Sequence, residues 1–122
     1  MSRVFDMAFS SVYPLYLAKV ERKGRTKEEL DAVIRWLTGF DDSALLRHIE
    51  GTTSFRAFFD EATLSPHASQ VTGVVCGIRV EEIDDPLMYR IRVLDKLVDE
   101  LAKGRPLAKI LRGGEGVSSP AG

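Results

Sequence analysis

Cysteine is almost missing from this chain of 122 residues: Cys76 stands alone. No intramolecular disulfide can form, and one thiol falls far short of a cysteine-based zinc site. A reducing cytoplasm is the expected compartment. Long apolar runs are missing too, none nearing the roughly 20 residues a bilayer span needs. The N-terminal stretch MSRVFDMAFSSVYP is a poor signal peptide, because Asp6 and the Ser10-Ser11 pair break its apolar run. Charge of one sign is not in excess: 17 Lys and Arg face 18 Asp and Glu, a net charge of −1. The whole molecule therefore carries no electrostatic footprint for nucleic acid or an anionic membrane. Histidine is limited to His48 and His67, neither in a metal-binding spacing. The Gly73-x-x-x-Gly77 spacing lacks the Lys-Ser/Thr that would complete a phosphate loop. No metal and no cofactor is expected.

What is present reads as one globular domain, residues 1–112, followed by a tail, 113–122, too poor in apolar residues to dock. Gly and Pro cut the domain into short helices. The first is expected from about Ser11 to Lys23, with Pro14 in its first turn and Gly24 as its stop. In TKEELDAVIRWLTG, Thr26 and Glu29 form a capping box, Gly39 ends the helix, and Leu30, Val33, Ile34 and Leu37 recur at helical spacing. Asp42 is expected to cap a short helix carrying Leu45, Leu46 and Ile49, and Ser54 another carrying Phe55, Phe58 and Phe59. The last long helix starts at Asp85-Pro86 and stops at Gly104. Its Leu87, Ile91, Leu94, Val98 and Leu101 make a heptad-like seam, and Asp99 and Lys103 an i,i+4 pair on its outer face. One or two further turns follow in PLAKILR.

VTGVVCGIRVEEIDDPLM (71–88) fits either a strand or a helix, since apolar residues satisfy both periods. A strand has only VFDMAF near the N-terminus to pair with, and a lone two-stranded pair is marginal. Ser65-Pro66 is a helix start signal. The spacing therefore predicts a helix from about Ser65 to Ile83, with Gly73 and Gly77 on one side and Cys76 buried and inert. The fold class expected is all-α, a small orthogonal bundle of five to seven helices. The alternative is a mainly α domain with a small two-stranded β element.

Charge is unevenly placed. KVERKGRTK (19–27) has a local balance of +4 and EEIDD (81–85) of −4. The two read as solvated surfaces, or as patches that meet within the chain or across a dimer. The helix pair around Gly39 could pass for a DNA-binding helix-turn-helix, but its second helix offers only Arg47 and His48 against Asp41, Asp42 and Glu50. Packing is the better account of it.

The stretches SVYPLYLAKVERKGRTKEEL, WLTG, FFDEA, TGVVCGIRVEEIDDPLM and LDKLVDELAKG together resemble a bacterial family, domain of unknown function 2200, over roughly residues 3–112. The resemblance implies a small, mostly helical domain and no assigned activity. It nominates as shared-site residues Tyr13, Arg25, Trp36, Arg79, Glu81 and Glu82, which lack an evident structural duty in the sequence. The leading expectation is a cytosolic protein-interaction module, self-associating as a homodimer through the seam of helix 86–103 or through the Gly73/Gly77 face. A small-molecule binder or enzyme using Arg79 with Glu81 and Glu82 is the alternative. Nucleic-acid binding through residues 19–27 is the weakest reading.

Overall fold

A computed structural model describes residues 3–113; apart from Gly113, the expected tail lies outside the described residues. The described chain runs α1 (Phe9–Arg22), α2 (Lys27–Thr38), α3 (Asp42–Glu50), α4 (Phe55–Glu61), β1 (Val74–Val75), β2 (Ile78–Arg79), α5 (Pro86–Ala102) and α6 (Leu107–Ile110). Short 3-10 turns occupy Arg3–Asp6, Ala68–Gln70 and Val80–Glu82. The architecture is mainly α with a small two-stranded antiparallel element, the alternative form of the expected fold.

Helix α2 is made as its sequence dictates. Thr26 and Glu29 form both halves of the capping box, and Gly39 ends the helix in the left-handed region at φ 73°. Leu30, Val33, Ile34 and Leu37 are fully buried. Two starts differ from expectation. Helix α1 begins at Phe9, so Pro14 lies in its second turn and removes a backbone donor there. It starts early because Phe9 N–H donates to the Thr53 carbonyl (2.8 Å) and Phe55 N–H to the Met7 carbonyl (2.9 Å). The VFDMAF stretch thus pairs, through an Ala8–Ser54 bridge, with the start of α4 and not with residues 74–80. Helix α3 is capped by Asp41, whose carboxylate accepts from Ala44 N–H at 2.8 Å, and Asp42 is its first residue.

Phe55, Phe58 and Phe59 of α4 are buried, with Phe9 stacked on Phe58 at 4.1 Å between ring centroids. Helix α5 runs through the middle of the domain and packs on α1, α2, α4, α6 and the hairpin. Its seam residues Ile91, Leu94, Val98 and Leu101 are buried in the chain's own core, as are Val93 and Leu97. At about 1.5–3 kcal/mol for each fully buried aliphatic or aromatic side chain, this helix is a principal source of stability. The seam is therefore not available to a second copy, which corrects that expected route of self-association.

The predicted helix over 65–83 does not form. Val74 pairs with Arg79 and Val75 with Ile78 across a two-residue turn, Cys76-Gly77, with both φ angles positive (52° and 76°). That is the mirror-image turn whose twist matches paired strands. Gly73, at φ 107°, is also outside helical space, so the Gly73/Gly77 face expected on a helix does not exist. The pair is small but not isolated. Val75 and Val80 are buried against the core, Val80 N–H donates to the Gly73 carbonyl (2.9 Å), and α5 backs the hairpin.

Candidate functional site

The six nominated residues are spread over α1, the α1–α2 turn, α2, β2 and the 3-10 turn after it, and all but Glu82 have contacts within the fold. Tyr13 of α1 is buried and donates to Asp31 Oδ1 at 2.5 Å, while Lys27 holds the other carboxylate oxygen at 2.8 Å. Burial first, then the hydrogen bond to Asp31, pushes the Tyr13 hydroxyl up to about 12. Arg25, in the turn between α1 and α2, donates from Nη1 to the carbonyls of Leu101 (3.0 Å) and Arg105 (2.9 Å). Its Nε and Nη2 hold Glu29, whose carboxyl is drawn down to about 2, chiefly by the hydrogen bond from Arg25. Trp36 of α2 is half-buried against the core. Arg79 and Glu81 pair at 3.5 Å on the surface. Glu81 accepts from Gly73 N–H at 2.9 Å, the main cause of its lowered pKa, and so closes the hairpin. Glu82 is exposed. Among the described residues, no hydrogen bond or ion pair joins Arg79 or Glu81 to Tyr13, Arg25 or Trp36.

Cys76 is exposed, which overturns the expectation of a buried thiol; the turn lifts it off the core. Its Sγ lies 3.8 Å from Arg92 Nη1, which is committed to Asp95 at 2.7 Å, and Asp95 in turn accepts from Tyr16 at 2.5 Å. Neither histidine stands beside it. His48 is fully buried between the rings of Phe40 and Phe58, with Nδ1 3.0 Å from Thr53 Oγ1. Its Nε2 comes within 3.3 Å of Glu61 without the alignment of a hydrogen bond, and burial holds its pKa below the ordinary value. His67 shares a hydrogen bond with Gln70. Among the described residues no group of three or more His, Cys, Asp or Glu side chains is placed to hold a metal ion.

A groove forms where the C-terminal ends of α1 and α5 lie side by side. It has a volume of about 540 Å³ and is lined by Lys19, Arg22, Lys23, Asp99, Ala102 and Lys103. The α1 end supplies three cations, which also suit the negative end of a helix dipole. Asp99 sits between Lys19 (3.4 Å) and Lys103 (3.1 Å). Burial alone would raise the Asp99 carboxyl, but the two lysines outweigh it and hold it below its ordinary value. Arg22 and Lys23 are exposed and make no ion pair among the described residues. With four cations and one carboxylate, the lining carries +3.

The basic stretch 19–27 thus divides. Lys19, Arg22 and Lys23 face the groove, while Arg25 and Lys27 are spent on Glu29 and Asp31. The acidic stretch 81–85 lies at the other end of α5, where Asp85 caps the helix through Met88 N–H (2.8 Å). Seventeen helical residues separate the two ends by about 25 Å. The two patches do not meet within the chain.

A family profile described as an uncharacterized protein conserved in bacteria, domain of unknown function 2200, matches residues 3–112. The chain belongs to that family. The crystal structure of an uncharacterized protein, SP1917, is similar to this family member at 45% sequence identity, with a TM-score of 0.85. The similarity covers 91% of this chain and 93% of that one. A search of curated proteins finds no match. The family and the solved neighbour are both uncharacterized, so neither brings a function with it. No helix among the described residues is long and apolar enough to cross a membrane.

Proposed function

We propose that this family member is a cytoplasmic, non-catalytic binding module that holds an anionic ligand in the groove between the ends of α1 and α5. The observation that carries this reading is the +3 lining of a roughly 540 Å³ groove in a molecule whose overall charge is −1. That volume lies within the range typical of ligand sites. A catalytic role gains less support: the exposed thiol has no histidine beside it, and Arg79, Glu81 and Glu82 sit exposed on β2 and the 3-10 turn after it, where Glu81 is occupied by backbone. Free Cys76 suits a reducing compartment. Thermal-shift titration with sulfate, phosphate, nucleotides and short nucleic acids tests the reading. A ligand at about one hundred times its dissociation constant adds roughly 2.7 kcal/mol, or on the order of 10 °C. No shift with any anion would refute it.

Self-association is a second reading, favoured by the opposite charges at the two ends of α5. Glu81, Glu82, Asp84 and Asp85 of one copy would face the groove of the next, a head-to-tail contact. Sedimentation velocity at low and high salt checks this. Association that vanishes with salt supports it, and a monomer at every ionic strength refutes it.

A further inference from the structure

We infer that the ligand of this groove is an oligophosphate, recognised through its linked phosphates and not through any base or ring attached to them. The inference rests on the anion-binding reading and specifies its chemistry.

Three features of the lining support it. The first is charge. Lys19 and Lys103 already share Asp99, so a single phosphate entering between them would displace or face a carboxylate. Arg22 and Lys23 are the lining cations with no ion-pair partner among the described residues, and they lie at the α1 side of the groove. A ligand with more than one anionic centre can engage both groups at once, and a charge near −3 matches the lining. The second is composition. Among the described residues no aromatic side chain lines the groove and Ala102 is its only apolar residue, so a nucleobase finds nothing there on which to stack. The third is geometry. Arg22 and Lys23 are adjacent in sequence at the end of α1, whereas Lys103 comes from the end of α5, so the cations bracket the groove from two elements. Helix-dipole compensation accounts for cations on each helix end taken alone. It does not account for the placement of Glu21 and Glu100, the other carboxylates of the two ends, outside a lining whose one carboxylate is Asp99.

The linked phosphates can come as a free inorganic chain or as the chain of a nucleotide, and a calorimetric titration of the full-length protein separates these. The probes are inorganic phosphate, pyrophosphate, tripolyphosphate and ATP, without divalent metal and at one fixed ionic strength. Each added exposed charge pair is worth a few-fold in affinity, so pyrophosphate is expected to bind a few-fold tighter than phosphate and tripolyphosphate about tenfold tighter. ATP is expected to match tripolyphosphate within a few-fold. The Arg22→Gln, Lys23→Gln double variant, at two exposed positions, should lose at least about tenfold in tripolyphosphate affinity while keeping a cooperative melting transition. A Lys109→Glu control on α6 should bind as the parent does. Phosphate binding as tightly as pyrophosphate would overturn the inference and leave an anion site standing. ATP binding more than about tenfold tighter than tripolyphosphate would also overturn it, because a base would then be recognised. Silence from every probe would remove the anion-binding reading together with the inference.

Discussion

Replacing Gly77 by alanine decides between two conformations of residues 71–83 by sign alone. In a helix, Gly→Ala stabilises by about 1 kcal/mol, because the backbone loses less entropy on folding. In the hairpin Gly77 has φ 76°, where a Cβ costs roughly 1–2 kcal/mol. A Cβ built there meets nothing within 4 Å, so no clash or new contact adds to the backbone effect. The expected outcome is a loss of about 1–2 kcal/mol, or roughly 4–8 °C in melting temperature for a domain near this size. Cys76→Asn should move the other way by about 0.5–1 kcal/mol, since Asn tolerates the left-handed region that Cys76 occupies at φ 52°. Little is lost in exchange, because the thiol is exposed and its one hydrogen bond among the described residues is a long one from Arg92, at 3.8 Å. Urea unfolding followed by circular dichroism reads both changes, provided the m-value stays constant. The hairpin is coupled to the core through buried Val75 and Val80, so global unfolding should sense it. A stabilised Gly77→Ala protein would refute the hairpin, and two unchanged midpoints would refute its coupling to the core.

Phe58→Ala removes a fully buried ring that stacks on Phe9 and should cost about 3–5 kcal/mol by the same urea assay. A cost under about 1 kcal/mol would mean that the aromatic cluster is not tightly packed. Glu29 has its folded pKa lowered from 4.5 to about 2, so its contribution is complete above about pH 4.5 and is lost as pH falls toward 2. Glu29→Gln should flatten that limb of a plot of melting temperature against pH. His48, also lowered, is neutral in the fold. Stability should therefore decline as pH drops below about 6.5, and a His48→Phe protein should not show that decline.

Much of the fold was readable because its signals are local. Thr26 and Glu29, Ser54, Asp85-Pro86 and Gly39 each act within four residues of themselves, and each appears where the sequence put it. Asp99 and Lys103 also pair as their spacing implied. The hairpin was hidden because its turn carries Cys where Asn or Asp would have announced it, and its strands are two residues long. Periodicity allowed strand and helix alike, and the partner of each strand lay within the same stretch, across the turn. Arg25 looked free in sequence because the carbonyls it holds belong to Leu101 and Arg105, about eighty positions away. The groove was half visible. Lys19, Arg22 and Lys23 stood out as a basic run, but only the packing of α1 on α5 sets Asp99 and Lys103 beside them.

The central position of α5 sets a timetable for biosynthesis. The apolar faces of α1, α2 and α4 all close on a helix that starts at residue 86. Until it has been translated, the core faces of the preceding segments can cover one another only in part, as Phe9 and Phe58 do, although their local caps can already hold them helical. At about 5–20 residues per second, the seventeen residues of α5 take roughly 1–3 s to add. The nascent chain therefore waits, sticky and half-organised, for its last long helix, and a chain truncated ahead of Pro86 is expected to stay in that state.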